Sequence, residues 1–431
     1  MRANTDAAPV GAGPAWLDRR VAGWALYDVA SSSYIAIVPL LFPLLFATVL
    51  DGAPRADAHF ALLGALSLVV AGVAAPLIGA LADRGRLLTW LAAATAVCCA
   101  ACAAMPSLRT GDVLFASLAF VAAQCGYTVA MVLYESFLPR LATASAMARV
   151  SAFGWAAGLC GGLLALAIAL AVARGRPDAE AAALAIGVAA VVFALLALPA
   201  LGALRGIAPA RLASRPATLR DAWRTIVDDL RGWRRHRNSA RFLLAYLLIN
   251  DASVTVVFVV SLFMRSTFGT TVEGLLLLVL LYNVIAAPAT LAWGRVADRI
   301  GLKLAIHLNL VVWIAGILLM AYARDDRMPW LIVATFALVM ASTNALCRAL
   351  YARLVPVERS AQFFGFNAIV GRVSAALGPA TYAAVTTWTG SSVAGLLSLL
   401  AFIVAGGVVL VFVDTTPVVV SMDDAREEAQ T

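Results

Sequence analysis

Four ionisable side chains sit where an apolar sequence should exclude them. Asp251 lies in the middle of the run 242–264 and Arg372 in the middle of 363–386, while Asp28 and Glu135 lie toward the ends of 21–50 and 112–138. A charge at mid-bilayer costs at least ~2.5–3.5 kcal/mol on insertion scales, so such a group normally faces a cavity or a partner. For Asp28 and Glu135, each taken alone, interfacial anchoring is the plainer reading; Asp251 and Arg372 are too deep for it. Two chemistries compete for the deep pair. They form a structural ion pair, or Asp251 exchanges protons while Arg372 grips a substrate carboxylate or phosphate through two parallel hydrogen bonds. The second is our expectation. It makes Asp251, Asp28 and Glu135 proton-coupling residues, with Asn250, Asn283, Gln124 and Asn367 lining a substrate site around Arg372.

Such groups need long apolar helices to hold them. The 431 residues are 63% hydrophobic and 13% charged, with mean hydropathy +0.91, against roughly 45–50% and 25% in soluble chains. Breaks at Gly, Pro and charge clusters leave apolar runs at 21–50, 58–81, 88–105, 112–138, 150–173, 181–204, 242–264, 272–293, 302–322, 330–353, 363–386 and 392–413. Most are near the ~20 residues that span ~30 Å of hydrocarbon as helix. A β-barrel would show alternating segments of ~10 residues instead. The N-terminal 20 residues are Ala/Pro/Gly-rich and polar, and the first apolar run is too long for a cleavable signal.

Twelve spans put both termini on one side. Of 32 basic residues, all Arg except Lys303, 24 fall on the terminus side and 7 on the other, with Arg372 inside a span. The positive-inside rule then makes the termini and the central linker cytoplasmic. It also turns the net charge of +8 into a membrane signature rather than a nucleic-acid one, with anionic lipid expected at that face. In a bacterial source the location is the plasma (inner) membrane.

The two halves repeat. The stretch Leu133-Tyr134-Glu135-Ser136-Phe137-Leu138-Pro139 aligns with Leu350-Tyr351-Ala352-Arg353-Leu354-Val355-Pro356 at an offset of 217, which also pairs Gly154 with Gly371 and Gly161 with Gly378; Asp83 meets Asp298 at 215 and Asp28 meets Asp251 at 223. Duplicated six-helix halves with a site between them near mid-bilayer are a transporter architecture. The expected fold is an all-α membrane protein of twelve transmembrane helices in two pseudo-symmetric six-helix bundles, 21–205 and 240–414. The tails are 1–20 and 415–431, and a linker covers 206–239. In the linker, Thr218 precedes Leu219, Trp223, Ile226, Leu230 and Trp233 on one helical face, with Asp221 placed to close a capping box. That helix either lies at the headgroups or packs on the bundle.

Matching loops follow spans two and eight: Gly79-Ala80-Leu81-Ala82-Asp83-Arg84-Gly85-Arg86, and Gly294-Arg295-Val296-Ala297-Asp298-Arg299-Ile300-Gly301-Leu302-Lys303. Glycine lets helices approach, and an aspartate there can cap a neighbouring helix or pair with arginine across the bundles. Gly79, Asp83, Arg84, Arg86, Gly294, Asp298, Arg299 and Lys303 are the expected gating latch. These loops resemble the signature loop of the major facilitator superfamily (MFS), the first copy being one residue short. Trp24-Ala25-Leu26-Tyr27-Asp28-Val29-Ala30-Ser31-Ser32-Ser33, the Leu133–Pro139 stretch, Arg149-Val150-Ser151-Ala152-Phe153-Gly154-Trp155, Gly161-Gly162, Asn250-Asp251, Arg348, Phe363-Phe364-Gly365-Phe366 and Leu377-Gly378-Pro379 narrow the resemblance to the Atg22-like (UMF1) family. Val29, Ser31, Glu135 and Cys347 depart from its usual pattern. The resemblance implies an MFS secondary transporter working by alternating access; the family's eukaryotic namesake is linked with vacuolar amino-acid efflux.

No Gly-rich P-loop or nucleotide domain points to an ATP-driven pump. His59, His236 and His307 are scattered, Gly-x-Ser-x-Gly is absent, and the six cysteines show no ligand spacing. We therefore expect no catalytic residues, no metal and no cofactor. The expected protein is a monomeric transporter moving a small anion or zwitterion, such as an amino acid, with proton coupling. The alternatives are an intramembrane enzyme and a non-transporting scaffold or receptor.

Overall fold

The computed structural model describes residues 18–50, 56–207, 218–231, 236–322, 325 and 327–416. Trp233, residues 1–17 of the expected N-terminal tail and the acidic stretch 421–431 lie outside the described residues. The helices are α1 (Arg19–Val49), α2 (Ala56–Asp83), α3 (Leu87–Ala104), α4 (Val113–Glu135), the single turn α5 (Leu138–Leu141), α6 (Met147–Ala173), α7 (Asp178–Ala203), α8 (Leu219–Arg231), α9 (Arg237–Phe268), α10 (Val272–Ile300), α11 (Leu302–Tyr322), α12 (Met328–Leu354), α13 (Ser360–Thr389) and α14 (Ser392–Val411). All but α5 and α8 contain a segment long and apolar enough to cross a membrane, giving twelve spans.

Helix is the only open-ended way to bury backbone polar groups in lipid, and it tolerates Pro39, Pro43, Pro76, Pro199, Pro288 and Pro379 inside these spans because neighbouring helices satisfy the freed groups. Leucines at 40, 62, 114, 118, 195 and 198 are more than half exposed, an outer surface suited to hydrocarbon. Several helices outrun their apolar runs. The second signature loop is not a loop at all: α10 continues through Asp298 to Ile300 and stops at Gly301, whose φ is 88°. Its first copy ends at Asp83 and turns through Gly85 and Arg86, at φ 135° and 62°.

Helices α1–α7 form one six-span half and α9–α14 the other. Across the divide α2 lies on α13, and α6 on α10 and α12. These crossings are close because glycine sits at them. A Cβ on Gly79 would come 2.4 Å from the Ala361 carbonyl oxygen, and one on Gly365 would come 2.4 Å from Pro76 Cα. Between the halves, α8 packs Ala222 and Ile226 inward, Ala222 against Ala80 and Leu81 of α2, while Leu219 and Trp223 face out. The packing expectation for this helix is therefore met on its inner face. Its capping box is present: the Asp221 carboxylate accepts from the Thr218 N–H at 3.0 Å and from its hydroxyl at 2.7 Å, and the Asp221 N–H donates back to Thr218 at 3.3 Å.

Candidate functional site

Arg348 of α12 is the hub of the interface between halves. It is 5% exposed and ion-paired to Asp28 of α1, Nη1 to Oδ2 at 3.5 Å. Its Nε donates to Ser151 Oγ at 2.9 Å and its Nη2 to the Ser151 carbonyl at 2.8 Å. Three rings of the opposite half surround the guanidinium: Trp24 at 4.8 Å, Trp155 at 5.6 Å and Tyr134 at 5.8 Å. A delocalised, weakly hydrated guanidinium suits such a cage better than an ammonium would. The cage is built locally. Trp24 stacks on Tyr134 at 4.7 Å and donates its indole N–H to the Tyr134 carbonyl at 3.0 Å. The Tyr134 hydroxyl donates to Asp28 Oδ2 at 2.9 Å, and Gly154 leaves room for both Trp24 and Arg348. Asp28 is 8% exposed, so the anchoring expected for it at an interface is corrected: its sequence position near a helix end conceals an inward-facing side chain. Glu135, half-buried, faces the same Arg348 and Asp28, which corrects the anchoring reading for it too.

A second layer of contacts joins the halves at the ends of the helices nearest the termini. Asp83 accepts from the N–H groups of Ala361 and Gln362, at 3.1 and 2.8 Å, in the first turn of α13, where exposed amides and the helix dipole favour an anion. Arg140 lies 3.6 Å from Asp83 and donates to Ser360 Oγ at 2.6 Å and to the Val357 carbonyl at 2.8 Å. On the other flank, Arg149 meets Asp298 at 2.6 Å, Gly294 abuts Ala152 and Ala148, and Arg353 donates to the Ala144 carbonyl. Of the eight residues expected to form a latch, Gly79, Asp83, Gly294 and Asp298 thus reach the other half. The remaining four do not, and the correction has a simple cause: their side chains point along or away from the cleft. Arg84 donates to Thr225 of α8 at 3.0 Å, Lys303 donates to the Val411 and Val413 carbonyls of its own half, and Arg86 and Arg299 are exposed.

Asp251 and Arg372 are not a pair. Asp251 is 0% exposed, and its Oδ1 accepts the Gly378 N–H at 2.6 Å, one residue before Pro379 within α13. Gly378 is six residues beyond Arg372, about 9 Å along a helix, so the two charges sit at different depths. The helix contact with Gly378 closes over Asp251. Arg372 is half-buried, donating to the Ala368 carbonyl at 3.0 Å and, across the halves, to Thr128 Oγ1, while its Nε is buried without a partner.

The other expected lining residues divide. Gln124 accepts from the Tyr34 hydroxyl at 2.7 Å, Asn250 donates to Ser374 Oγ at 2.5 Å, and the Asn367 Oδ1 is buried without a partner. Asn283 donates to Val279 of its own helix and joins nothing across the interface, which takes it out of the cluster. Arg348, Trp155, Ser151, Arg140 and Arg149 make many of the polar and cation–π contacts between halves and were not singled out from sequence as site residues. For Arg348 a faint signal existed: it falls inside the apolar run 330–353, though only five residues before its end. Among the described residues no group of three or more His, Cys, Asp or Glu side chains is placed to hold a metal ion.

Known proteins align with this arrangement. The family described as "Vacuole effluxer Atg22 like" matches over residues 52–418. The MFS-type transporter YxiO of Bacillus subtilis (strain 168), itself described as uncharacterized, is 26% identical over 408 residues, covering 90% of this chain and 94% of its own. Among solved structures, the human organic anion transporter MFSD10 superposes with a TM-score of 0.72 at 18% identity, covering 92% of this chain and all of its own. A bacterial homologue of the iron transporter ferroportin, in its outward-facing state, gives 0.70 at 15% identity, covering 91% and 98%.

Proposed function

The chain belongs to the Atg22-like family of the major facilitator superfamily, a multi-pass membrane protein and secondary transporter of a small molecule rather than an enzyme, and we propose that it works by proton-coupled alternating access. The bundles 21–205 and 240–414 rock about the interface that Arg348 and Arg372 cross. Both termini are cytoplasmic, as the 24-to-7 bias in basic residues indicates, and the linker 206–239 rests against anionic lipid. With its cytoplasmic ends tied by Asp83, Arg140, Asp298 and Arg149, the transporter is closed to the cytoplasm in this state.

The observation that carries this reading is the buried Asp28–Arg348 pair. Its two members belong to different halves, so opening the cytoplasmic side must part them. Parting a buried ion pair leaves two unbalanced charges in low dielectric, which is strongly unfavourable. A proton on Asp28 removes one of them, and the neighbouring Glu135 shares the same field. Proton binding thereby favours opening, and proton release favours closure. Arg372 holds the substrate's anionic group, aided by Thr128 and Gln124; the organic anions in the name of the human neighbour are consistent with that chemistry. Asp251 ties α9 to α13 at Gly378 rather than titrating during the cycle.

The reading is tested in proteoliposomes carrying an internal pH dye, under an imposed proton gradient, with a radiolabelled mixture of amino acids, ω-amino acids and short peptides outside. Wild-type protein is expected to couple label uptake to proton movement. Asp28→Asn should lose the proton movement, and Arg372→Ala should lose both fluxes. Unchanged fluxes in both variants would remove the reading.

A further inference from the structure

Gln124, Thr128, Met131 and Glu135 recur on α4 at intervals of 4, 3 and 4 residues, which places them on one helical face. Gln124, Met131 and Glu135 are half-buried, while Val129, Ala130, Val132, Leu133 and Tyr134 are buried. This face is therefore the one turned toward the other half, and Arg372 reaches it from α13 at Thr128.

The two ends of the stripe are oppositely unbalanced. At one end the Arg372 guanidinium has a carbonyl and a hydroxyl for partners and no carboxylate, and its Nε has none. At the other, Glu135 and Asp28 share the field of Arg348: two carboxylates face one guanidinium, and Glu135 has no hydrogen-bond partner among the described residues. One end lacks an anion and the other lacks a cation. Thr128 and Glu135 are seven residues apart, about 10 Å of helix rise.

We propose that the substrate is an elongated zwitterion with its charges about 10 Å apart, its anionic end on Arg372 and its cationic end on Glu135. This rests on the reading of Arg372 as the anion site. A free α-amino acid is too short to reach both ends. An extended tripeptide has the right length, since three residues reach about 10 Å, and an ω-amino acid of similar length fits equally. Met131 lies between the charged ends, and its flexible thioether suits a stem of variable shape. The task of Glu135 is then to choose among anions by the cation they carry.

The test uses the full chain in lipid nanodiscs and three probes: trialanine, N-acetyltrialanine, which keeps the length and the carboxylate but lacks the ammonium, and alanine. Affinities are read by calorimetric titration. Trialanine should bind about tenfold tighter than either other probe, the scale of one charge-assisted hydrogen bond. The preference should vanish in Glu135→Gln and persist in Glu135→Asp, with monodisperse elution confirming that both variants are folded. Equal binding of trialanine and its acetylated form to the wild type, or no binding of trialanine, overturns the proposal. If that equal binding is lost in Arg372→Ala, the anion site stands and only the elongated zwitterion falls. If Arg372→Ala binds trialanine as the wild type does, the anion site falls with it.

Discussion

Asp28 and Asp251 occupy corresponding places in the first helix of each half, yet they meet different chemistry. Each packs against a glycine of the partner helix within its own half, Gly158 on α6 for Asp28 and Gly378 on α13 for Asp251. From there they diverge. Asp28 looks across the interface to Arg348 and accepts the Tyr134 hydroxyl, whereas Asp251 turns its carboxylate onto the Gly378 N–H of its own half. Duplication preserved the position of the carboxylate and its tight helix contact. It left the partner free to change, and only the copy facing the other half can sense how the halves stand.

The sharpest way to break this contrast is to remove the partner. Arg348→Ala should lower stability by about 3–5 kcal/mol, the usual effect of orphaning a buried charge, and the double variant with Asp28→Ala should recover part of it; thermal unfolding in detergent checks both. A smaller effect is expected at the glycine beneath Asp251. In Gly378→Ala the new methyl would lie 2.0 Å from Thr255 Oγ1, whereas at Gly371 nothing stands within 4 Å. Overpacking should cost the first about 1–3 kcal/mol and leave the second near wild type, read as a difference in melting temperature. Replacing the carboxylates by amides sharpens the contrast further. Asp251→Asn keeps an acceptor for Gly378 and should lose about 1 kcal/mol; Asp28→Asn gives up its cation and should lose more.

The smallest effect lies outside the membrane. The two hydrogen bonds from Thr218 hold the Asp221 carboxyl below its usual range. A carboxylate depressed in the folded state stabilises above its unfolded pKa, about 3.9, and that contribution is lost as pH falls through the lower folded value. Hydrogen exchange in α8 should therefore be pH-independent in its protection near neutrality and should lose protection only in strong acid. In Asp221→Asn the acid-dependent loss should disappear.

The twelve spans, the duplication and the Thr218–Asp221 box were legible because each is a local signal, carried by hydropathy, repeated spacing or residues three apart. The placement of Asp251 and Arg372 well inside apolar runs was legible for the same reason. Their partners were not, since helix rotation and the relative height of α9 and α13 decide whether two buried charges meet, and neither leaves a mark in the sequence. Arg348 shows the limit best. Its position near the end of an apolar run reads as one more arginine obeying the charge bias, while the ring cage that gives it meaning comes from Trp24, Tyr134 and Trp155, which lie more than a hundred residues away in the chain. In the signature motifs the aspartates stood out through repetition; Arg140 and Arg149, which answer them, belong to no repeated motif.

The ring cage has an optical consequence. Two of its walls are indoles, Trp24 and Trp155, and both belong to the half opposite Arg348. When the arginine withdraws, their emission must change in wavelength or yield, because a cation pressed on an indole perturbs its excited state. The protein thus carries its own fluorophores at the point where the halves part, and stopped-flow fluorescence could follow each turn of the cycle without a label.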